Sequence, residues 1–524
     1  MQDRAYHYSE NERPMVPGAP YLPPHSASRR MRYVMVAVLM STFGIFGNSL
    51  VTENLQQIAG GYSSYSAELV WLTGAYVGVG ASSNIFMIKG RMQFGLPVML
   101  YGSLLLYAAA AAADAVWGTL FTAILSRAAN GLSTSTGVAT SVYCLMQALP
   151  KPKRILAIAT PIACTQLAQP LARLVPVDFL TLNSNTTLHL LTLLIPLLQI
   201  VLLALNPLPR TYTKKVFELV DLITGVLVAG SAIMLACALA AGQTYWWNDA
   251  PFLGELIIGA VLAGALALMI EARRKRPEIN LQWLSRRHIV GIMGVALVER
   301  VSLSAQTSSA PGLLALRSLN NDQYHHLFAM ITLAMFVGIL VMLKTLGPKS
   351  LLFQMVVALG CIAMGALLAC ANNSLVRPDD LILSQCLIGF GATLFAGPAL
   401  VACISQVLQR GAEVLVPTVL VFAAVQNFGT LAGTALLSSV QYISQQTAIA
   451  GYANRFRVGS PLIAQWSANL SDLSSSAQQQ AAVIGYLNSF RLVVVIALIA
   501  MLVVLATALY SVYTTRAAAE GTQN

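Results

Sequence analysis

The stretch LHLLTLLIPLLQIVLLALNPLPR, residues 188–210, contains no Asp, Glu, Lys or Arg before its last residue. A helix needs about 20 apolar residues to cross the hydrocarbon core of a bilayer, so this run predicts a membrane span. The run ends in Arg210, a cation where a span would meet the membrane surface. The same arrangement recurs along the whole chain, and its recurrence predicts the fold.

The composition is typical of a multi-pass membrane protein. Of the 524 residues, 56% are hydrophobic and only 10% are charged, against about 25% charged in an ordinary soluble domain. We predict an all-α integral membrane protein with fourteen transmembrane helices. The apolar runs that predict them begin near residues 33, 69, 96, 119, 155, 188, 220, 252, 289, 327, 351, 381, 413 and 489.

The positive charges are distributed unequally between the two predicted membrane sides. The N-terminal tail, the loops after the even-numbered helices and the C-terminal tail hold 23 of the 31 Lys and Arg residues. The opposite loops hold Arg317, Arg377, Arg455 and Arg457. By the positive-inside rule, both termini are cytoplasmic. Because the cations lie in short clusters between apolar runs, the net charge of +11 does not indicate nucleic-acid binding.

The predicted domains follow from the spacing of the runs. They are a disordered cytoplasmic tail over 1–32, a six-helix bundle over 33–206, an inserted helix pair with its loops over 207–288, a second six-helix bundle over 289–513 and a cytoplasmic tail over 514–524. The segment 441–488, rich in Ser, Gln and Ala, is expected to be a long outer loop. The remaining loops are too short for a catalytic domain, and no Walker lysine motif occurs. We therefore predict no enzymatic activity, no cofactor and no metal site.

Several segments carry a family resemblance. SRAANGLSTSTG (126–137) is similar to an Arg-x-x-x-Gly motif, and FELVDLITG (217–225) and MIEARRKRPEINL (269–281) resemble segments that open and close an inserted helix pair. TLAGTALL (430–437) is similar to a glycine-rich helix near the C-terminus. The chain thus resembles the major facilitator superfamily, and within it a divergent member of the fourteen-helix drug:proton antiporter (EmrB-like) family. The fold that this implies is two six-helix bundles plus an inserted pair.

Other segments depart from that family. In the loop after helix 2 the expected Asp-Arg pair is absent, and the helix 5 run CTQLAQPLARLV (164–175) keeps only Pro170 of the antiporter motif. The acidic residue expected midway along helix 1 falls at about Gly47.

The resemblance implies a secondary active exporter of the bacterial inner membrane. Such a protein moves amphipathic drugs or a metabolite out of the cytoplasm by proton antiport. Its partners would be a periplasmic membrane-fusion protein and an outer-membrane channel. The lost motifs leave an alternative open, namely a non-transporting membrane receptor or assembly subunit on the same fold.

The run GVALVERVSLS (294–304) places Glu299 and Arg300 near the middle of predicted helix 9. An ionised side chain at the bilayer centre costs about 2.5–3.5 kcal/mol on insertion scales, so such residues are functional candidates. The pair could be a buried bridge between helices or could line a cavity for substrate or proton. We favour the cavity.

Arg127 is a lone cation in predicted helix 4, and it cannot lose its proton. The resemblance implies a role in proton coupling through a nearby carboxylate, for which Glu53 and Asp114 are the candidates. Polar and aromatic residues in other helices could line a substrate cavity or could simply pack between helices. These candidates are Asn48, Trp71, Tyr76, Asn84, Tyr143, Gln426 and Asn427.

Overall fold

The computed structural model describes residues 19–521 apart from 63, 66, 212, 214, 216–217, 275–285, 320, 348–349, 409–414 and 456–469. These described residues contain fourteen helices of 12 residues or more. The N-terminal half comprises α1 Ala27–Thr52, α2 Val70–Phe94, α3 Leu96–Trp117, α4 Leu120–Ala148, α5 Arg154–Thr165 and α6 Val177–Leu205. The inserted pair is α7 Leu219–Tyr245 and α8 Pro251–Ala272. The C-terminal half comprises α9 Arg287–Ser304, α10 His325–Thr345, α11 Leu351–Ala369, α12 Ile382–Leu408, α13 Leu415–Arg455 and α14 Leu470–Gly521.

The predicted all-helical architecture is confirmed. Twelve stretches of the described chain are long and apolar enough to cross a membrane. The other two helices, α2 and α4, contain 25 and 29 residues, which at about 1.5 Å per residue exceeds the thickness of the hydrocarbon core. They pack against each other, and α4 also packs against α1 and α3. Membrane crossing by all fourteen helices stays a prediction.

Part of the segment 1–32, for which the composition predicts a disordered tail, is ordered: residues 19–32 are described and include the start of α1. α1 begins at Ala27, where the Ser26 hydroxyl accepts a hydrogen bond from Arg29 N at 3.4 Å. Upstream of it, Tyr21 N donates to Arg210 O at 3.0 Å. The N-terminal segment, residues 19–26, is therefore held by the connection after α6, a long-range contact that local composition does not indicate. Residues 1–18 lie outside the described chain.

The expected outer loop, 441–488, is helical wherever it is described. α13 continues to Arg455 and α14 begins at Leu470, and only residues 456–469 between them lie outside the described chain. Ala and Gln have good helix propensity, and no proline interrupts either helix here. The 41 residues of α13 correspond to about 60 Å, roughly twice the thickness of the hydrocarbon core. α14 likewise continues as a helix through much of the predicted tail 514–524.

Two helices are irregular where the halves meet. α5 is interrupted at Gln166 and Leu167 before a short helical stretch, Ala168–Ala172. α9 widens into a π-helical turn at Ala305–Ser309 and then continues over Ala310–Ala315. Such π-turns are frequent at functional sites.

The two halves share a core through α5. The large apolar cluster of the C-terminal half contains Ala159, Ala163 and Cys164 from that helix. α5 also packs against α12, while α2 packs against α13. Gln166, at the interruption of α5, consequently lies at the interface between the halves.

The inserted pair lies beside this interface, since α7 packs against both α2 and α13. At one end of the pair, Asp221 is paired with Lys89 and lies 2.6 Å from Arg274. We call this end of the bundle, where α2 ends and α3 begins, the basic end, and the other the opposite end. At the opposite end, Trp247 Nε1 donates to Ser439 Oγ at 3.1 Å.

Candidate functional site

Arg300 connects the two halves near the middle of the bundle. Its Nη1 donates to Gln166 Oε1 in the N-terminal half at 2.8 Å, and its Nε donates to Gln426 Oε1 on α13. The side chain is buried, with 8% of the residue exposed. Gly429, one turn after Gln426, gives it room, because a Cβ there would lie 2.9 Å from Arg300 Cβ. Because the guanidinium bonds to amides from both halves, its hydrogen bonds depend on the relative position of the halves.

Glu299 is fully buried beside this connection. Its Oε2 lies 3.8 Å from Arg300 Nε, and neither carboxylate oxygen has a hydrogen-bond partner within the described part of the chain. Burying an ionised carboxylate without hydrogen bonds is very costly. This geometry therefore favours a carboxyl group that binds a proton or a cationic group. The candidate pair is thus a contact of 3.8 Å in which Arg300 has amide partners and Glu299 has none among the described residues.

Three further candidates lie on α2 and α13, the helices that pack against each other across the interface. Gln426 is its hydrogen-bond partner, and the Tyr76 hydroxyl, 3.4 Å from Thr134 Oγ1, is within electrostatic reach of both Arg127 and Arg300. Asn427 lies where α13 faces α2, with its Nδ2 3.8 Å from the point at which Gly80 would carry a Cβ. Of these three candidates, Gln426 bonds the guanidinium directly, and Asn427 lies where α13 faces α2.

Asn48 and Asn84 are polar groups of the N-terminal half. Asn48 Oδ1 is buried and has no partner among the described residues, so it is available for a hydrogen bond. Asn84 Nδ2 donates to Gly80 O within its own helix at 3.3 Å. Of the two, only Asn48 has a buried polar atom that a ligand could satisfy.

Arg127 is bonded inside the N-terminal half. Its Nη1 donates to Gly47 O at 2.5 Å, and its Nη2 donates to Ser126 Oγ at 3.4 Å. A Cβ on residue 47 would lie 2.5 Å from the Tyr107 hydroxyl. The Tyr107 hydroxyl thus leaves no room for a side chain at residue 47, where an acid was expected, and the backbone carbonyl of Gly47 is the acceptor for Arg127.

Asp114 is engaged by other residues and does not pair with Arg127. His189 Nδ1 lies 3.2 Å from its Oδ2, the Tyr62 hydroxyl donates to the same oxygen at 3.4 Å, and Thr122 Oγ1 donates to Oδ1 at 3.1 Å. Burial raises the pKa of Tyr62, and the charge of Asp114 raises it further, so this hydroxyl stays a donor. Asp114 is 1% exposed, which excludes a solvated helix end.

Glu53 is also engaged elsewhere. Arg173 Nη2 lies 2.7 Å from Glu53 Oε2, and Arg173 Nη1 donates to Asn321 Oδ1 of the C-terminal half at 2.8 Å. Arg173 Nη2 donates as well, at 3.4 Å, to Thr307 O, the carbonyl that Pro311 cannot bond for lack of an N–H. Both carboxylates expected beside Arg127 therefore have other partners.

Further hydrogen bonds join the two halves at the opposite end. Asn321 Nδ2 donates to Asn54 Oδ1, and Val177 N donates to Asp322 Oδ1 at 2.9 Å. A cavity of about 10 Å³ lies among these groups, lined by Glu53, Arg173 and Gln169, whose buried Oε1 has no partner among the described residues. That volume suits about one water molecule.

Two candidates lie away from the interface. Trp71 packs 6.1 Å from the Phe252 ring of the inserted pair. The Tyr143 hydroxyl accepts a hydrogen bond from Arg91 Nη1 at 2.6 Å at the basic end. Trp71 therefore packs, and Tyr143 hydrogen-bonds, away from Arg300.

Sequence reasoning missed four residues that complete these networks: Gln166, Arg173, His189 and Asn321. Arg173 and His189 carried a signal, because each is an ionisable side chain within a predicted apolar segment. Gln166 and Asn321 carried none, since their roles depend on which helices meet.

Comparisons with known proteins agree with this architecture. No family model matches the chain, and no curated protein matches it. A peptide transporter POT solved in complex with sulfate is 13% identical with a TM-score of 0.57, over 94% of this chain and 97% of that one. A bacterial homologue of the human drug peptide transporters PepT1 and PepT2 is 13% identical with a TM-score of 0.55, over 92% and 98%. The human organic anion transporter MFSD10 is 14% identical with a TM-score of 0.53, over 89% and 99%.

The chain has the fold that these peptide transporters and the organic anion transporter share. The likeness extends over nearly the whole of both chains in each comparison. At 12–14% identity it concerns the fold alone. The narrower resemblance to fourteen-helix drug antiporters stays a prediction.

Proposed function

We propose that the protein is a secondary active exporter that moves amphipathic drugs or a metabolite out of the cytoplasm in exchange for protons. The observation that carries this proposal is the pair at the centre of the bundle. A buried carboxylate without hydrogen bonds, Glu299, adjoins a guanidinium, Arg300, that bonds to both halves.

Glu299 is the proton site in this proposal. Its carboxylate can be neutralised either by a proton or by a cationic substrate, and because the two compete for one negative charge, binding of one releases the other. That competition is the coupling step of an antiporter. Arg300 then responds, because loss of the Glu299 charge leaves its guanidinium held by Gln166 and Gln426 alone.

The halves must separate at one end for substrate to leave. At the opposite end they are joined by Arg173, Asn321 and Asn54, and the Glu53 carboxylate holds Arg173 in position. These contacts support a conformation closed at the opposite end. In the transport cycle we propose, they break together, and Arg300 releases Gln166 when the interface opens.

Arg127 has a positioning role in this proposal. Its hydrogen bond to Gly47 O joins α4 to α1, and its charge lies buried within the N-terminal half. It therefore shapes the electrostatics of the cavity without itself exchanging a proton, since an arginine stays charged.

The proposed location is a bacterial inner membrane with both termini cytoplasmic, so that the basic end faces the cytoplasm. The helical extensions over 441–455 and 470–488 would then be outside. We propose them as the surface for a periplasmic membrane-fusion partner. Reporter fusions within 456–469 and at the C-terminus should report opposite membrane sides, and the same side for both would contradict this topology.

The test of the function is transport by the purified protein in proteoliposomes. A pH gradient, acidic on the side of the opposite end, should drive accumulation of a fluorescent amphipathic cation on that side. Addition of the cation without a gradient should in turn move protons the other way. Substrate movement that ignores the pH gradient would overturn proton antiport, and no movement of any tested amphipath would favour a receptor or assembly subunit.

A further inference from the structure

A cavity of about 330 Å³ opens at the basic end, remote from the interface between the halves. Its walls are the N-terminal segment (residues 19–26), the start of α1 and the connection between α4 and α5. The volume is at the lower end of the range for small-molecule sites, about 300–1,000 Å³.

The wall formed by the N-terminal segment is fixed by polar contacts. Buried Gln147 donates from Nε2 to Tyr21 O at 2.7 Å, and its Oε1 lies 2.8 Å from His25 Nε2. A backbone bridge between Pro20 and Thr211 holds the same segment from the other side. The cavity is therefore built by specific contacts and is preformed.

Three cations line this cavity: Arg30, Lys151 and Arg154. No carboxylate is among its described lining residues, and none of the three has an ion pair with another described residue. Arg154 Nε is buried and has no hydrogen-bond partner in the described chain. Three positive charges around one space repel each other, so an anion bound between them would reduce that repulsion and satisfy the buried Arg154 donor.

The chemistry selects a phosphate group. Two guanidinium groups offer planar pairs of donors that match phosphate oxygens, and Lys151 adds a point charge. The neighbouring surface favours an esterified phosphate with apolar chains. Met31 and Met35, one and five residues after Arg30, are 69% and 50% exposed, and Ile155, next to Arg154, is 37% exposed.

We propose that this basic cavity binds the phosphate group of an anionic phospholipid. The head group would lie between Arg30, Lys151 and Arg154, with its acyl chains against the exposed face of α1. Basic pockets of this kind on the cytoplasmic side of a membrane protein attract anionic head groups. The proposal is independent of transport direction and of the proton site.

The test compares lipid binding by the full chain and by two triple variants. The first carries Arg30→Gln, Lys151→Gln and Arg154→Gln. The matched control carries Arg273→Gln, Arg287→Gln and Lys344→Gln, which removes the same charge from exposed positions at the same end. Purified protein is titrated with phosphatidylglycerol or phosphatidylcholine in mixed micelles, and bound lipid is counted by native mass spectrometry.

Wild type and the control should bind phosphatidylglycerol in preference to phosphatidylcholine, and the cavity variant should bind it at least about tenfold more weakly. Equal weakening in both triple variants would overturn the site in favour of general surface charge. If inorganic phosphate protects the wild type from thermal unfolding as well as the lipid does, the ligand is free phosphate and the lipid proposal is overturned. If the triple variant does not fold, Lys151→Gln alone, at an exposed position, should still weaken binding, and unchanged binding would overturn the proposal.

Discussion

In the N-terminal half, the buried carboxylate of Asp114 meets His189, Tyr62 and Thr122. In the C-terminal half, the equally buried carboxylate of Glu299 has no hydrogen-bond donor among the described residues, and its ion-pair contact there is Arg300 Nε at 3.8 Å. A satisfied buried group stabilises one arrangement of helices, whereas an unsatisfied one gains from any ligand that can neutralise it. The contrast supports the proposal that the Asp114 cluster is structural and that Glu299 is the proton site.

The largest effect on stability is expected from Asp114→Ala. Tyr62 and His189 would lose their partner, whereas Thr122 Oγ1 also donates to Thr119 O at 2.8 Å. Each unsatisfied buried polar group costs about 1–3 kcal/mol. We therefore expect a loss of about 2 kcal/mol or more in the free energy of unfolding, seen as low membrane expression and early thermal unfolding in detergent. Asp114→Asn, which keeps one acceptor oxygen, should lose less. Wild-type stability of Asp114→Ala would remove the contrast between the halves.

Arg300→Lys should affect transport more than folding. An ammonium group is a compact point charge and cannot bond Gln166 and Gln426 with the planar geometry of a guanidinium. Loss of one hydrogen bond to a charged group, about 1.5–3 kcal/mol, corresponds to a transport rate lowered by about tenfold or more. Transport assays paired with thermal unfolding separate the two effects. A rate unchanged by Arg300→Lys would show that the connection between the halves is not used.

Glu53→Gln should loosen the opposite end. The amide keeps an acceptor for Arg173 but loses the charge attraction, so the contacts with Asn321 should break more often. In a background without native cysteines, a cysteine at Thr307 should react several-fold faster with a membrane-impermeant thiol reagent. Asp178→Asn, an exposed acid outside this network, is the control. Equal reaction rates in all three proteins would show that the Glu53 charge does not hold the end closed.

The smallest effects are expected at the two candidates that lie away from the interface. Trp71→Phe and Tyr143→Phe should change transport by less than about twofold, because single hydrogen bonds and packing contacts at these sites contribute about 1 kcal/mol to folding. Initial transport rates normalised to the amount of protein give the comparison. A large loss of transport with Trp71→Phe would indicate that the substrate path runs beside the inserted pair. A large loss with Tyr143→Phe would indicate that it runs through the basic end.

The sequence predicted the helices well because membrane spans depend on local composition. Apolar runs and flanking cations are enough to locate a helix, and they located each of the fourteen. Glu299 and Arg300 were identified for the same reason, since charges inside an apolar run are costly. The helical part of 441–488 was missed because Ser, Gln and Ala are as compatible with a polar loop as with a helix.

The partners of these charges could not be predicted. The family resemblance made Glu53 and Asp114 the candidate partners of Arg127, but in the structure Glu53 pairs with Arg173 and Asp114 with His189. Gly47 shows the same limit, because its role depends on where Tyr107 and Arg127 lie in three dimensions. Contacts between distant helices require their relative rotation and depth, and no local pattern encodes either.

The most direct test of the central claim measures proton release from proteoliposomes on addition of a cationic amphipath, for wild type, Glu299→Gln and the double variant Glu299→Gln/Arg300→Gln. Glutamine keeps the size of the side chain but cannot exchange a proton. We expect the double variant to fold with wild-type thermal stability or higher, because a neutral pair no longer requires burial of charge. Glu299→Gln alone leaves the Arg300 cation bonded to Gln166 and Gln426 and should fold with somewhat lower stability. Neither variant should release protons. A double variant that recovers both full stability and full proton release would contradict the account, since it would show that the pair serves only as a structural bridge.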